Sequence, residues 1–163
     1  MIEDVAHWPS GTVRIVWHDG PVDPKLPVTG AHGFCFRQEG VLVCDISGRG
    51  PTIPGGHLDE GESAADCLIR EASEEASVAL ANLILVGFIE ADHRENSGFD
   101  GHYPVRSVQA IYRADVSSVS EFLSEHESRE RRFVTVAELP TLHHEWNAVL
   151  QAALKAALEA DVR

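Results

Sequence analysis

Residues 56–78, GHLDEGESAADCLIREASEEASV, constrain this chain more than any other stretch. Gly56 is followed by Glu62, then by Arg70-Glu71, Ala72, Glu74-Glu75 and Ser77-Val78. From Ser63 to about Ala76 the pattern is helical. Ser63, with Asp66 three residues on, marks a helix N-cap. Ala65, Ile69, Ala72 and Ala76 recur at i, i+4, i+7 and i+11, which predicts a core-facing stripe. Glu71, Glu74 and Glu75 then converge on an arc beside it. Three like charges within one turn repel, and no lysine is interleaved to relieve them.

Converging carboxylates suit a hard divalent cation. Mg2+ takes oxygen ligands in an octahedron and is typically shared with substrate phosphates. Pro54-Gly55-Gly56, just before the helix, lets backbone carbonyls approach such an ion without side chains in the way. Arg70, beside Glu71 and four before Glu74, can hold the carboxylates by charge-assisted hydrogen bonds. A solvated acidic face is the alternative, and E-x-x-E-E alone does not exclude it.

The whole stretch resembles the signature of the Nudix hydrolases, MutT-like proteins. Gly56, Glu62, Arg70, Glu71, Glu74 and Glu75 match it, and a chance match is on the order of 10^-7 per window at average composition. One position departs: Ser77 stands where the signature has glycine. The resemblance implies an α/β/α sandwich with a mixed sheet, one Nudix domain over 1–163. It implies Mg2+ or Mn2+ held by Gly56, Glu71, Glu74 and Glu75, and catalytic roles for Glu74 and Arg70. The implied activity is cleavage of the pyrophosphate bond in a nucleotide-type small molecule. Many family members carry an acidic segment before an aromatic-containing strand and Glu-Leu-Pro. In several, a glutamate of that segment reaches the metal as ligand or general base. By position before Phe133, Glu127 is the first candidate here and Glu130 the second. Glu62 is expected to hold Arg70 or to support the loop.

Net charge of −13 argues against a nucleic-acid polymer or an anionic membrane as partner. A small anionic substrate stays open, because a metal neutralises phosphates locally. The start, MIEDVAHW, lacks the basic region and apolar run of a signal peptide. No stretch approaches the ~20 apolar residues of a membrane span. Cys35, Cys44 and Cys67 read as reduced core residues, which fits the cytoplasm. The resemblance adds the expectation of a homodimer.

Alternation predicts strands over 12–18, 31–37, 41–46, 83–91, 105–115 and 133–136. Gln38, Glu39 and Gly40 suit a hairpin turn. A short helical piece is expected around 121–126, a turn over 137–140, and an amphipathic helix from His143 onward with Val149, Ala153, Ala156 and Ala160 inward. Arg49, in the linker before the helix, is a candidate for substrate phosphate. The polar loop 92–104 offers His93, Arg94, His102 and Tyr103 for a base or sugar, and Arg106 follows it. Adjacent His143-His144 read as capping or surface groups.

Serine for glycine at position 77 is expected to alter the helix end without abolishing metal binding. The subgroup markers of ADP-ribose, dinucleoside polyphosphate and coenzyme A hydrolases are not visible. A non-catalytic nucleotide sensor is the alternative function, although such modules usually lose a catalytic glutamate and this chain keeps them all. An isomerase of allylic diphosphates would need a pocket cysteine, and Cys35 and Cys44 read as strand-interior.

Overall fold

The alternation Val13-x-Ile15-x-Trp17 buries one face of the second strand, as its sequence predicts. A computed structural model describes residues 1–38 and 40–160. Among the described residues nine strands form the sheet: β1 (Ile2–Trp8), β2 (Gly11–His18), β3 (Val28–Arg37), β4 (Gly40–Ile46), β5 (Gly50–Thr52), β6 (Gly55–His57), β7 (Val78–Asp92), β8 (Arg106–Val119) and β9 (Ser128–Thr135). The helices are α1 (Ala64–Ala76), α2 (Leu139–Leu142) and α3 (Ala148–Ala160). The main path runs β1-β2-β7-β8-β3-β4-β5, with β6 on β3 and β9 on β4. β3 pairs parallel with β8 and the other pairings are antiparallel, so the sheet is mixed.

Consecutive residues of a strand point to opposite faces. Phe34 packs with Ile111, Val149, Ala153 and Ala157 in the core that carries α3. Cys35 packs with Ala72, Ala76 and Ala114 in the core that carries α1. The helices therefore cover the two faces, as an α/β/α sandwich requires. Gly33 lets α1 settle onto β3, since a Cβ there would lie 2.5 Å from Leu68 Cδ2. All three cysteines are buried and free.

Several expectations need correction. The inward face of α1 is Cys67, Leu68, Ala72, Glu75 and Ala76, while Ile69 is 40% exposed. Two apolar rows compete on this helix. The row with the adjacent pair Cys67-Leu68 wins, and it takes Glu75 inward with it. No helix forms over 121–126: Ser124 adopts a left-handed φ of 51° and its hydroxyl donates to Ser128 O at 2.9 Å. Residues 139–142 form one helical turn, with Pro140 near its start, where a missing N–H costs nothing. α3 begins at Ala148, five residues later than expected. Asp4 Oδ2 accepts the Ala148 N–H (2.9 Å) and Asn147 Oδ1 the Leu150 N–H (2.9 Å), which sets the start there. β1 carries no alternation in its sequence, since only Ala6 of its seven residues is buried. Glu39, read as part of a turn, lies outside the described residues.

Candidate active site

α1 is fixed at both ends. Ser63 caps it, its hydroxyl accepting the Asp66 N–H at 3.1 Å. At the other end Ser77 is left-handed (φ 53°, ψ 45°), and its N–H donates to Ser73 O at 3.0 Å. The helix thus ends as a glycine-capped helix would. Arg131 of β9 covers that end: Nη1 donates to Ala76 O (2.6 Å) and Ser77 O (3.3 Å). A guanidinium there also meets the negative pole of the helix dipole.

Arg70 gathers the carboxylates of the segment. Nε donates to Glu62 Oε1 (2.8 Å) and Nη2 to Glu62 Oε2 (3.0 Å). Nη1 reaches Glu71 Oε1 (3.0 Å) and Glu74 Oε2 (3.5 Å), and Nη2 also bonds His57 O (3.1 Å). Glu62 further accepts the Asp59 N–H at 2.9 Å. With Arg70 as the main cause, its pKa falls to about 2. Glu62 does hold Arg70, as expected.

Glu75 is the opposite case. It is 7% exposed, and its bond from the Gly55 N–H is long, at 3.3 Å. Burial first, then the Glu71 charge, pushes its pKa up to about 8, against the Gly55 N–H and the positive charge of Arg49. Burial also raises Glu71, although Arg70 opposes the rise. A pocket of about 300 Å³ opens here, lined by Glu71, Glu74, Glu75, His126 and Glu127.

This donor set fits a hard divalent cation. Its oxygens are carboxylates, one of them buried with little to neutralise it. Gly56 stands directly against Glu71, and a Cβ on Gly56 would overlap that carboxylate. Only glycine leaves the loop backbone open to an ion at this point. Among the described residues, no three carboxylate, imidazole or thiol groups are already drawn in around one point. Arg70 holds Glu71 and Glu74, and the Gly55 N–H holds Glu75.

Comparison with known proteins agrees with this arrangement. The NUDIX domain model matches residues 27–154. The chain belongs to the NUDIX domain family. No curated protein matches it in sequence. Among solved structures it resembles a Bacillus subtilis pyrophosphohydrolase, BsRppH, at TM-score 0.77 and 17% identity, covering 98% of each chain. An ADP-ribose pyrophosphatase from Streptococcus suis gives 0.62 and 21%, covering 84% of this chain and 93% of that one. The NUDIX domain of Shewanella oneidensis NrtR, complexed with ADP ribose, gives 0.60 and 19%, covering 85% and 93%. At these identities the likeness is one of fold. No helix among the described residues is long and apolar enough to cross a membrane.

The NUDIX box thus supplies Glu71, Glu74 and Glu75, and Glu127 joins them in the pocket from outside it. Arg49 is exposed on the β4–β5 turn, its charge near Glu75. Arg94 and Arg106 are each taken up by a carboxylate. Arg94 Nε bonds Asp92 at 2.9 and 3.0 Å, and Arg106 bonds Glu90 at 2.6 and 2.9 Å. Neither lines the pocket. Tyr103 stacks on His57 with centroids 4.5 Å apart, and His102 meets Tyr103 edge-on at 4.9 Å. Sequence reasoning missed His126 and His57. His126 is the neighbour of Glu127, so placing the one glutamate placed the other signal beside it. His57 directly follows the loop glycines. His143 is also more than a surface group. Its Nδ1 accepts the Glu145 N–H (3.1 Å), which leaves Nε2 for Thr52 Oγ1 (3.2 Å).

Proposed function

We propose that this chain is a single-domain, divalent-cation-dependent pyrophosphohydrolase that cleaves the phosphoanhydride of a nucleotide-type small molecule. One observation carries the reading: Glu71, Glu74, the buried Glu75 and Glu127 line one pocket beside the Gly55-Gly56 backbone. Gly56, Glu71, Glu74 and Glu75 would hold Mg2+ or Mn2+. When bound, such an ion polarises the phosphorus centre and offsets the charge of the phosphate oxygens.

The chain's own residues do the rest. Arg70 fixes Glu71 and Glu74 in register and is itself pinned by Glu62. Glu127 approaches from the segment before β9, outside the Arg70 network. It receives the proton of the attacking water at a carboxylate oxygen. Glu74, whose side chain is the most exposed of the three box glutamates, is the other carboxylate placed for that transfer. Arg49, beside Glu75, meets a phosphate oxygen, and the 102–103 corner meets the rest of the substrate. Arg94 and Arg106 act on the same loop indirectly, by bracing its two ends.

The ADP-ribose and pyrophosphohydrolase neighbours support a nucleotide-type substrate. Net charge of −13 favours a small molecule over a nucleic-acid polymer or a membrane. Buried, unpaired cysteines suit the reducing cytoplasm. A homodimer is carried over from the family resemblance. The test is cation-dependent phosphate release across nucleoside triphosphates, nucleotide sugars, ADP-ribose and dinucleoside polyphosphates, run beside Glu75→Gln. Turnover of one class, lost in the variant, supports the reading. Absence of turnover in every class, with nucleotide still bound, makes the chain a sensor.

A further inference from the structure

We infer that the His57–Tyr103 ring pair is a stacking ledge for the planar base of the substrate, with Tyr103 as the residue that sets affinity for a nucleoside over bare diphosphate. The inference rests on the hydrolase reading above and names what holds the part of the substrate that does not react.

The ledge begins one residue beyond the glycine that abuts Glu71, on the opposite face of the strand. His57 directly follows Gly56, whose backbone abuts Glu71, so the rings adjoin the metal-binding loop. The two rings lie 4.5 Å apart at 13°, close to parallel. Tyr103 remains 43% exposed although stacked, and His102 fixes its edge from the side. A large aromatic surface is thus stacked on one side and left partly open to solvent.

The sheet beside the ring pair is closely packed. Gly30 pairs with His57 on one side and Gln109 on the other. Across β6, β3 and β8 the row therefore reads ring, hydrogen, amide. Strands lie about 4.8 Å apart, so the ring and the amide stand roughly 10 Å from each other across the glycine. A Cβ on Gly30 would come within 2.8 Å of Gly56 O and 3.5 Å of the Gln109 side chain. Backbone and amide, the amide bonded to His32, therefore fill the sheet beside the rings and leave the outer face of Tyr103 as the open surface.

Electrostatics also require such a contact. The pocket is all carboxylate apart from His126, and the chain carries −13 overall. Phosphates are attracted through the cation and Arg49. Affinity beyond that comes from surface that is indifferent to charge, and base–aromatic stacking is of this kind.

The test uses two probes that share a non-hydrolysable bridge: α,β-methylene ADP and methylene diphosphonate. Each is titrated calorimetrically, with Mg2+, into the wild-type chain, Tyr103→Phe and Tyr103→Ala. The wild type should bind the nucleotide probe about tenfold or more tighter than the diphosphonate. Tyr103→Ala should lose most of that advantage and Tyr103→Phe should keep it, while diphosphonate binding stays constant in all three. Equal loss for both probes in Tyr103→Ala would mean a structural role for the ring and overturn the inference. So would unchanged nucleotide binding, although the hydrolase reading would stand. Failure of both probes to bind the wild type would remove that reading and the inference with it.

Discussion

Glu62 and Glu75 belong to one segment and have opposite surroundings. Glu62 is partly buried but accepts two guanidinium N–H groups and a backbone N–H, and has its pKa drawn down to about 2. Glu75 is buried, accepts one long bond, and is pushed up to about 8. The first carboxylate is satisfied by the fold. The second is left for something the fold does not contain. A buried charge with little to compensate it works against the native state, so its presence beside three other carboxylates points to chemistry and not to stability.

The sharpest way to break this contrast is Glu75→Gln. The amide oxygen can still accept the Gly55 N–H, so the loop should hold. Hydrolysis should fall by ~10^2-fold or more. The melting temperature of the cation-free protein should stay the same or rise, because a buried charge has gone. A clear drop in melting temperature would mean that Glu75 is a structural group. Arg70→Lys attacks the other half. Lysine offers a point charge and cannot bridge Glu62, Glu71 and Glu74 with a planar fork. Activity should fall about 10- to 100-fold, the range for groups that orient metal ligands. Here melting should fall as well, and wild-type melting in this variant would show that the Arg70 network serves the site alone.

That contrast also explains what the sequence could and could not show. The box was legible because its constraints are local: helix period, cap, glycine loop and carboxylate spacing all fall within 23 residues. Glu127 was legible only by its place before Phe133, since nothing local brings it to α1. The rotation of α1 was not legible. Ala65–Ile69 and Cys67–Leu68 are both plausible inward rows, and the choice depends on β3, where Gly33 makes room for Leu68. The fate of Arg106 was hidden for a similar reason. Its partner Glu90 comes near only through strand pairing across the loop, as Glu90↔Val108 shows, whereas Asp92 lies two residues from Arg94 and that pair is local. β5 and β6 are three residues each and leave no period to read.

His143 extends the comparison to a base. Like Glu75 it is kept from its charged form by lost hydration, with a pKa lowered to about 3, and the charges of His144 and His32 add to the effect. Its folded pKa lies below the ordinary 6.5, so the unfolded chain takes up a proton first. Stability from this group is whole above pH 6.5 and is lost as pH falls from there toward 3. His143→Gln should flatten the fall of the urea midpoint between pH 6.5 and 4.5. An unchanged slope in the variant would assign the acid sensitivity to other groups. The carboxylates Glu62 and Asp92, both drawn down to about 2 by arginines, lose their contribution only below pH 4.5 and 3.8 respectively, so most of the histidine window precedes theirs.

The smallest effect separates stability from chemistry most cleanly. Ser77 holds a left-handed backbone that costs an L-residue about 1–2 kcal/mol. Its three nearby bonds, from Ser120 N–H and from Arg131 to Ser77 O and Ala76 O, show how the fold tolerates serine there. Ser77→Gly removes the backbone strain and adds freedom to the unfolded chain, so the net gain should be about 0.5–1 kcal/mol in urea denaturation. Hydrolysis should not change, because the helix end is already in the glycine-type geometry and the carboxylates lie before it. Arg131→Ala should cost more in the wild type than in Ser77→Gly, since the guanidinium supports the carbonyls of the strained turn. If Ser77→Gly instead altered the cation dependence of hydrolysis, the turn would be tuning the carboxylates, and the division between satisfied and unsatisfied ends of the segment would fail at its last residue.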